Sequence, residues 1–368
     1  MVNEIIIQTK DLAVGYDKKV LIPEISFQVR PGEILVLIGP NGAGKSTILK
    51  TLVSQLKQIS GTVLVAGRKL QEMKEADIAK IMSLLLTKHP SGEMMTVWDI
   101  VETGRYPYTG RLGITDEKDF EIIEEAIELV GLTEVKDCFF SNISDGQRQR
   151  SMFARAICQQ PKILVLDEPT SYLDMRYKLE FLSILKKLAN EKNIAVIMSL
   201  HELDLAEKCA DKLLCVRDGI VDRYGTIDEI FYGGDNYINE LYSVKKGTFI
   251  EAFGSMELEK NSGKPKIFVI GGGGKGIPVY RRLQQAGIPF AVGILHENDI
   301  EYPVAKALAS EVIGESAFEI IEEEKYQRAL EQMKNCEKVI CTVEHFGKMN
   351  EKNRRLLEYA KEHGMLEE

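Results

Sequence analysis

Polar and apolar positions alternate from residue 2 to residue 29, where EIIIQ (4–8) and LIPEISFQV (21–29) read as short antiparallel strands with a turn at Tyr16-Asp17. An unbroken apolar run, Ile34 to Ile38, then enters a glycine-rich loop, and Lys45 to Gln55 reads as a helix. From Asp116 to Val130 the apolar positions Phe120, Ile123, Ile127 and Val130 recur at helical spacing, so residues 76–145 read as a mostly helical insert. Strands resume at ILVLD (163–167) and IAVIMSL (194–200), with a helix from Met175 to Asn190 between them. Strands alternating with crossover helices predict a parallel sheet.

The stretch from Met256 to Pro265 is polar, carries Gly and Pro and keeps no period, which marks a linker at 256–264. Beyond it the alternation restarts as KIFVIGG, a helix to Ala286, PFAVGIL, a helix through Pro303 to Ala309, EVIGE, a helix to Cys336, KVICTV and a last helix from Asn350. Four strands alternating with four helices predict a small Rossmann-like, doubly wound domain over 265–368. No repeat relates it to residues 1–255, the expected first domain. A chain of 368 residues suits such a division, because single cores stop growing near ~250 to 300 residues.

Composition narrows the class. The chain is 44% hydrophobic and 28% charged, as in soluble globular proteins. No run approaches the ~18 to 20 apolar residues of a membrane span, and Met1 to Lys10 lacks the layout of a secretory signal, so a cytoplasmic location is expected. The six cysteines form no CxxC pair, which suggests neither zinc nor a disulfide framework. The net charge of -9 is shared, with 14 Lys+Arg against 17 Asp+Glu in 265–368 and 33 against 39 before it, and neither part has the basic excess of a nucleic-acid binder.

The loop GPNGAGKST comprises Gly39, Pro40, Asn41, Gly42, Ala43, Gly44, Lys45, Ser46 and Thr47. Its Gly39, Gly44, Lys45 and Ser46 fit GxxxxGK[ST] between a buried strand and a helix. Glycines let backbone amides converge on phosphates, the helix start adds its dipole, Lys45 a point charge and Ser46 a hydroxyl for magnesium. Farther on, ILVLDEPTSYLD ends a strand in two carboxylates, which strand alternation sends to opposite sides. Asp167 is expected to hold magnesium and Glu168 to polarise the attacking water. His201 in SLHELD ends the next strand at the same sheet edge, where it can contact a terminal phosphate. In NISDGQRQR, Ser144 and the amides around Gly146 offer another anion site at a helix start, while Ser144 with Gln147 also fits a capping box.

In order and spacing, the first ~255 residues resemble an ABC transporter ATP-binding subunit: Walker A GPNGAGKST, signature ISDGQ, Walker B ILVLDEP, D-loop SYLD ending in Asp174, and switch His201. The resemblance implies a P-loop NTPase fold with an antiparallel β subdomain and a helical insert, binding ATP and magnesium, with Tyr16 stacked on adenine. TVWDIVETGRYPYTG, Thr96 to Gly110, resembles subunits of importers for iron(III)-siderophores, haem and cobalamin. Two positions depart from the family. Thr87 stands where it has its Q-loop glutamine, and Asp145 replaces the first glycine of the signature and is expected to turn outward, leaving Ser144, Gly146 and Gln147 to make the contact. Because the family completes each ATP site with the signature of a second chain, the resemblance implies a homodimer on an integral membrane permease, served indirectly by a substrate-binding protein, peripheral on the inner face of the cell membrane. The alternative is a soluble ABC-type ATPase with a non-transport role. Such proteins usually join two ATPase units or insert a long coiled coil, neither of which is present.

A second glycine loop follows the first strand of the later domain. Gly271, Gly273 and Gly276 satisfy GxGxxG, with Glu297 near the place of a ribose-binding acid. The loop lacks GKS and a later acidic pair, so it is no second ATPase. Three readings stay open: a dinucleotide or nucleotide effector, another small effector, or a vestigial or partner-docking fold.

Overall fold

The computed structural model describes residues 5–86, 94–109, 113–234 and 236–367. It divides into two compact units, Met1–Tyr242 and Ser243–Glu368. In chain order the first contains β1 (Ile7–Tyr16), β2 (Lys19–Val29), β3 (Ile34–Ile38), α1 (Lys45–Leu52), β4 (Ser60–Val65), β5 (Arg68–Lys69), α2 (Glu75–Ala79), β6 (Met82–Leu85), α3 (Val97–Glu102), α4 (Glu117–Leu129) and α5 (Asp145–Cys158). It continues with β7 (Ile163–Asp167), α6 (Met175–Lys192), β8 (Ala195–Ser199), α7 (Leu203–Cys209), β9 (Lys212–Arg217), β10 (Ile220–Thr226), α8 (Ile227–Phe231) and α9 (Tyr237–Leu241).

The alternating N-terminal residues form an antiparallel sheet of order β2-β1-β4-β5. Tyr16 pairs with Lys19 across Asp17 and Lys18, both at positive φ, as a two-residue hairpin turn matching the twist of its strands requires. The larger sheet has the order β10-β9-β3-β8-β7-β6, with β9, β3, β8, β7 and β6 parallel and β10 antiparallel at one edge. Every residue of β3, β7 and β8 is buried, as in strands covered on both faces. Ser199 is in register with Leu37 on one side and Asp167 on the other, so the ends of these three strands meet at one sheet edge.

The helical reading of 76–145 is corrected at one point: Met82–Leu85 is β6, paired with β7. Its continuous apolar run carries no period by which to tell a buried strand from a buried helix. In α4 the buried stripe is Ile122, Ile123, Ala126 and Ile127, whereas Phe120 is exposed and stacks on Trp98. Arg105, from the stretch compared with importer subunits, is buried and donates to Asp119 Oδ1 at 2.7 Å and to the Cys158 carbonyl at 2.8 Å.

The second unit contains β11 (Thr248–Ile250), β12 (Ser255–Glu257), β13 (Ile267–Ile270), α10 (Ile277–Gln285), β14 (Phe290–His296), α11 (Tyr302–Leu308), β15 (Glu311–Glu315), α12 (Glu323–Lys334), β16 (Lys338–Cys341) and α13 (Glu351–Glu362). Its parallel sheet has the order β15-β14-β13-β16. Successive residues of β13 serve opposite cores: Ile267 and Val269 pack with α10 and α11, Phe268 and Ile270 with α12 and α13. The sequence-based linker at 256–264 starts inside β12, because Glu257 is buried and paired with Arg281 of α10, which ties the hairpin to this unit.

Burial would raise the Asp119 carboxyl, but hydrogen bonds from Arg105 and the Asp116 backbone hold it below the ordinary range. A depressed carboxylate contributes stability that is complete above its unfolded pKa and lost as pH falls through the folded one. Acid unfolding of the first unit should therefore involve protonation of Asp119. Arg105→Ala strands that carboxylate and should cost about 3–5 kcal/mol at neutral pH, read as a lower urea midpoint, with a smaller difference from wild type below about pH 4.

Candidate functional site

The loop between β3 and α1 needs glycine at two points. Gly39 has φ +143 and a Cβ there would collide with the Val216 carbonyl, while Gly44 has φ +104 and its Cβ would strike Ile22. Gly44 caps α1 through its carbonyl, accepting from the Thr47 and Ile48 amides. The Ala43 amide turns back to Pro40, and the Gly39 amide donates to the Tyr242 hydroxyl at 3.1 Å. Among the described residues, the amides of Asn41, Gly42, Gly44, Lys45 and Ser46 have no hydrogen-bond partner. Five open donors at the positive end of a helix make a cradle for an anion.

Lys45 is only 5% exposed, and its Nζ donates to the carbonyls of Gly39 (2.6 Å) and Pro40 (3.0 Å). Burial lowers its pKa, against the raising influence of Glu168 and Asp167 nearby. Ser46 Oγ donates to Asp167 Oδ1 at 2.9 Å. A hydroxyl and a carboxylate from two elements, both hard oxygen donors, fit magnesium.

Asp167 ends β7, and the separation of the two carboxylates has a cause that strand alternation does not describe. Glu168 lies one residue past the strand at φ 49, a left-handed conformation uncommon for a side chain other than Gly, Asn or Asp. Its amide donates to Ser199 Oγ at 2.9 Å, and the same hydroxyl donates to Asp167 Oδ1 at 2.8 Å. Glu168 Oε1 lies 2.7 Å from His201 Nε2, both side chains about one-third exposed. Behind them Glu202 accepts from Thr170 Oγ1 (2.9 Å) and Lys178 Nζ (2.7 Å), contacts that outweigh burial and hold its carboxyl below the usual range.

The Tyr16 hydroxyl lies 3.1 Å from Thr47 Oγ1 with the side of the residue half exposed beside the loop. Ser144 and Gln147 form a reciprocal capping box at the start of α5. Asp145 turns to Arg148, which donates to it at 2.8 Å, and Gly146 lies against the Tyr172 carbonyl. Asp174 caps α6 by accepting from the Tyr177 amide. Thr87 lies outside the described residues. Of residues 96–109, Tyr106 and Tyr108 are exposed, and Tyr106 lines an open groove of about 850 Å³ with Gln55, Met82, Leu84, Ile100 and Arg155.

The sequence reading missed Ser199 and Tyr242. Ser199 had a local signal, since it lies two residues before His201 in a strand beside Asp167. Tyr242 had none, being far along the chain from Gly39. At the second glycine loop, the Gly273 amide donates to Asp299 Oδ2 (2.9 Å) and the Gly276 amide to Glu301 Oε1 (2.6 Å). Glu297 is exposed, and its amide donates to the Glu315 carbonyl.

The model of the ABC transporter family matches residues 22–171, which carry the cradle, the signature and the acidic pair. An ABC transporter ATP-binding protein of Methanocaldococcus jannaschii, MJ0873, is 42% identical over 290 residues, covering 78% of this chain and 99% of that protein. The chain belongs to the ABC transporter ATP-binding proteins. It is therefore an ATPase with the P-loop fold of that family. The petrobactin import ATP-binding protein FpuD of Bacillus anthracis is 36% identical over 224 residues, 61% of this chain and 82% of that one. The cobalamin import ATP-binding protein BtuD of Halobacterium salinarum is 28% identical over 310 residues, 82% of this chain and 77% of that one. A solved chain described as from a metal-chelate type ABC transporter, in an inward-facing conformation, aligns with a TM-score of 0.55 at 26% identity, over 64% of this chain and 88% of its own. The MJ0874 family model matches residues 290–366 of the second unit.

Gly39→Ala places a side chain against the β9 backbone at a φ that strains it. The variant should bind a fluorescent ATP analogue at least about tenfold more weakly, a cost of ~1.4 kcal/mol or more, with the melting of the second unit unchanged. Equal binding would mean that the loop takes another shape around nucleotide.

Proposed function

We propose that this chain hydrolyses ATP to power import of an iron-siderophore, haem or cobalamin-type substrate through a partner permease. The observation that carries the ATPase part is the chain of contacts from Ser46 through Asp167 and Ser199 to Glu168 and His201 at the open end of the Lys45 loop. In this reading the five open amides and Lys45 hold the phosphates, Ser46 and Asp167 hold magnesium, and Tyr16 flanks the adenine. Bound magnesium supplies neutralisation of charge on the phosphate oxygens. Glu168 accepts a proton from the attacking water, and His201, within hydrogen-bond reach of Glu168 Oε1, keeps that carboxylate aimed and contacts the terminal phosphate.

The names of the petrobactin, iron-hydroxamate and cobalamin relatives support the substrate class. The match to the cobalamin relative takes in 82% of the chain, more than the first unit holds, and so reaches the second. Ser144, Gly146, Gln147 and Asp174 lie at helix starts of α5 and α6, where a second copy can close them over its partner's nucleotide. A homodimer related by a two-fold axis follows. The groove beside Tyr106 and Arg155 is the surface offered to the permease, which a substrate-binding protein serves from the far side. In this reading attachment to the inner face of the cell membrane goes through that partner; among the described residues no helix is long and apolar enough to cross a membrane. The second unit is regulatory in this reading and senses a nucleotide or another small effector.

Lys45→Ala and Glu168→Gln should each abolish steady-state hydrolysis, while Glu168→Gln still binds ATP and traps a dimer on size-exclusion chromatography. Specific activity of the wild type should rise with protein concentration. A monomer at full rate, independent of concentration, contradicts the paired site. Copurification from detergent-solubilised membranes should return an integral subunit, and recovery without one favours the soluble alternative.

A further inference from the structure

In a doubly wound sheet a ligand is expected where the strand order reverses, here beside β13, whose end carries the GxGxxG loop. The residues present do not fit a pyrophosphate. Glu301 is fully buried, with Oε1 on the Gly276 amide at the start of α10 and Oε2 accepting from the Tyr280 hydroxyl at 2.5 Å. Asp299 takes the Gly273 amide, and Lys275 pairs with Glu344 at 2.5 Å. The amides of Gly273 and Gly276 and the lysine that could meet a phosphate thus all hold carboxylates of the same chain. The glycines have an internal reason too: a Cβ at Gly271 would collide with the Tyr280 hydroxyl, and one at Gly276 with Glu301. Burial and the neighbouring Glu301 raise the Tyr280 pKa, so its hydroxyl stays a donor.

We infer that Glu301 occupies the anion position of this loop, that the fingerprint serves packing of Glu301 and Tyr280, and that the second unit takes no dinucleotide there. A phosphate entering would have to expel a buried carboxylate or share the helix start with it, and like charges repel. The test uses the full chain carrying Lys45→Ala, so that the first loop is silent. NADH fluorescence and calorimetry with NAD, NADP and AMP should show no binding up to about 1 mM. Binding unaffected by Lys275→Glu would lie elsewhere and leave the inference standing. Binding that Lys275→Glu weakens tenfold or more overturns it.

A second observation, independent of the first, concerns the proposed ATPase site and rests on that reading. Ser199 is fully buried and bridges two catalytic neighbours, donating to the Asp167 carboxylate and accepting from the amide of Glu168, whose backbone is left-handed. We propose Ser199 as a positioning residue. It holds Asp167 toward Ser46 for the metal and fixes the direction in which Glu168 leaves the strand. A hydrogen bond to a charged group is worth about tenfold or more in an equilibrium constant. In Ser199→Ala, binding of Mn2+ with ATP, read by electron paramagnetic resonance, should weaken about tenfold. kcat should also fall, and the melting temperature of the nucleotide-free protein should drop by several degrees, because a buried hydroxyl serving two neighbours is lost. Ser199→Cys, nearly the same in shape but a weak donor, should lie on the same side of wild type. Unchanged Mn2+ affinity and kcat in both variants overturns the role, whereas failure of the wild type itself to bind Mn2+ with ATP sinks the underlying reading and this one with it.

Discussion

One buried carboxylate, Asp167, joins the parts of the first unit that must act together. It accepts from Ser46 at the start of α1 and from Ser199 at the end of β8, so the glycine loop, the acidic strand and the strand leading to His201 are held by a single group. Burying a charge is costly unless it is hydrogen-bonded, and here the donors that satisfy it are the elements that need to be aligned. The parallel register of β3, β8 and β7 brings those donors within reach, since three strands of equal depth end at one edge.

The two glycine loops show how one backbone device is put to opposite uses. Each follows a buried strand and opens a helix whose first amides attract negative charge. In the first, five amides are open and the charged neighbours, Lys45 and Asp167, are engaged with the loop and with each other's surroundings. In the second, Asp299 and Glu301 are already seated on the Gly273 and Gly276 amides. The difference arises from residues more than twenty positions away along the chain, on the connection between β14 and α11. A pattern that counts only glycines is blind to it.

Positions 96–109 divide between support of the fold and exposed surface. Thr96 and Asp99 cap a short helix, Arg105 is sunk against Asp119 and the end of α5, and Tyr106 and Tyr108 face outward. A buried cation needs its partner, so Arg105 belongs to the fold, and the Tyr108 ring lies on it while Tyr106 is left exposed beside the groove.

Local pattern determined a good deal. The strand-loop-helix around Lys45, the strand ending in Asp167, the hairpin at Tyr16-Asp17, the capping box of Ser144 and Gln147 and the four strands of the later domain were all legible, because each depends on periodicity or on contacts a few residues apart. The tertiary structure alone decided the rest. It made Met82–Leu85 a strand by pairing it with β7, turned Glu168 left-handed onto Ser199, brought the Tyr242 hydroxyl to the Gly39 amide and filled the second glycine loop with Glu301. In each case the deciding partner is distant along the chain, and a hydrogen bond between distant residues leaves no period for the sequence to display.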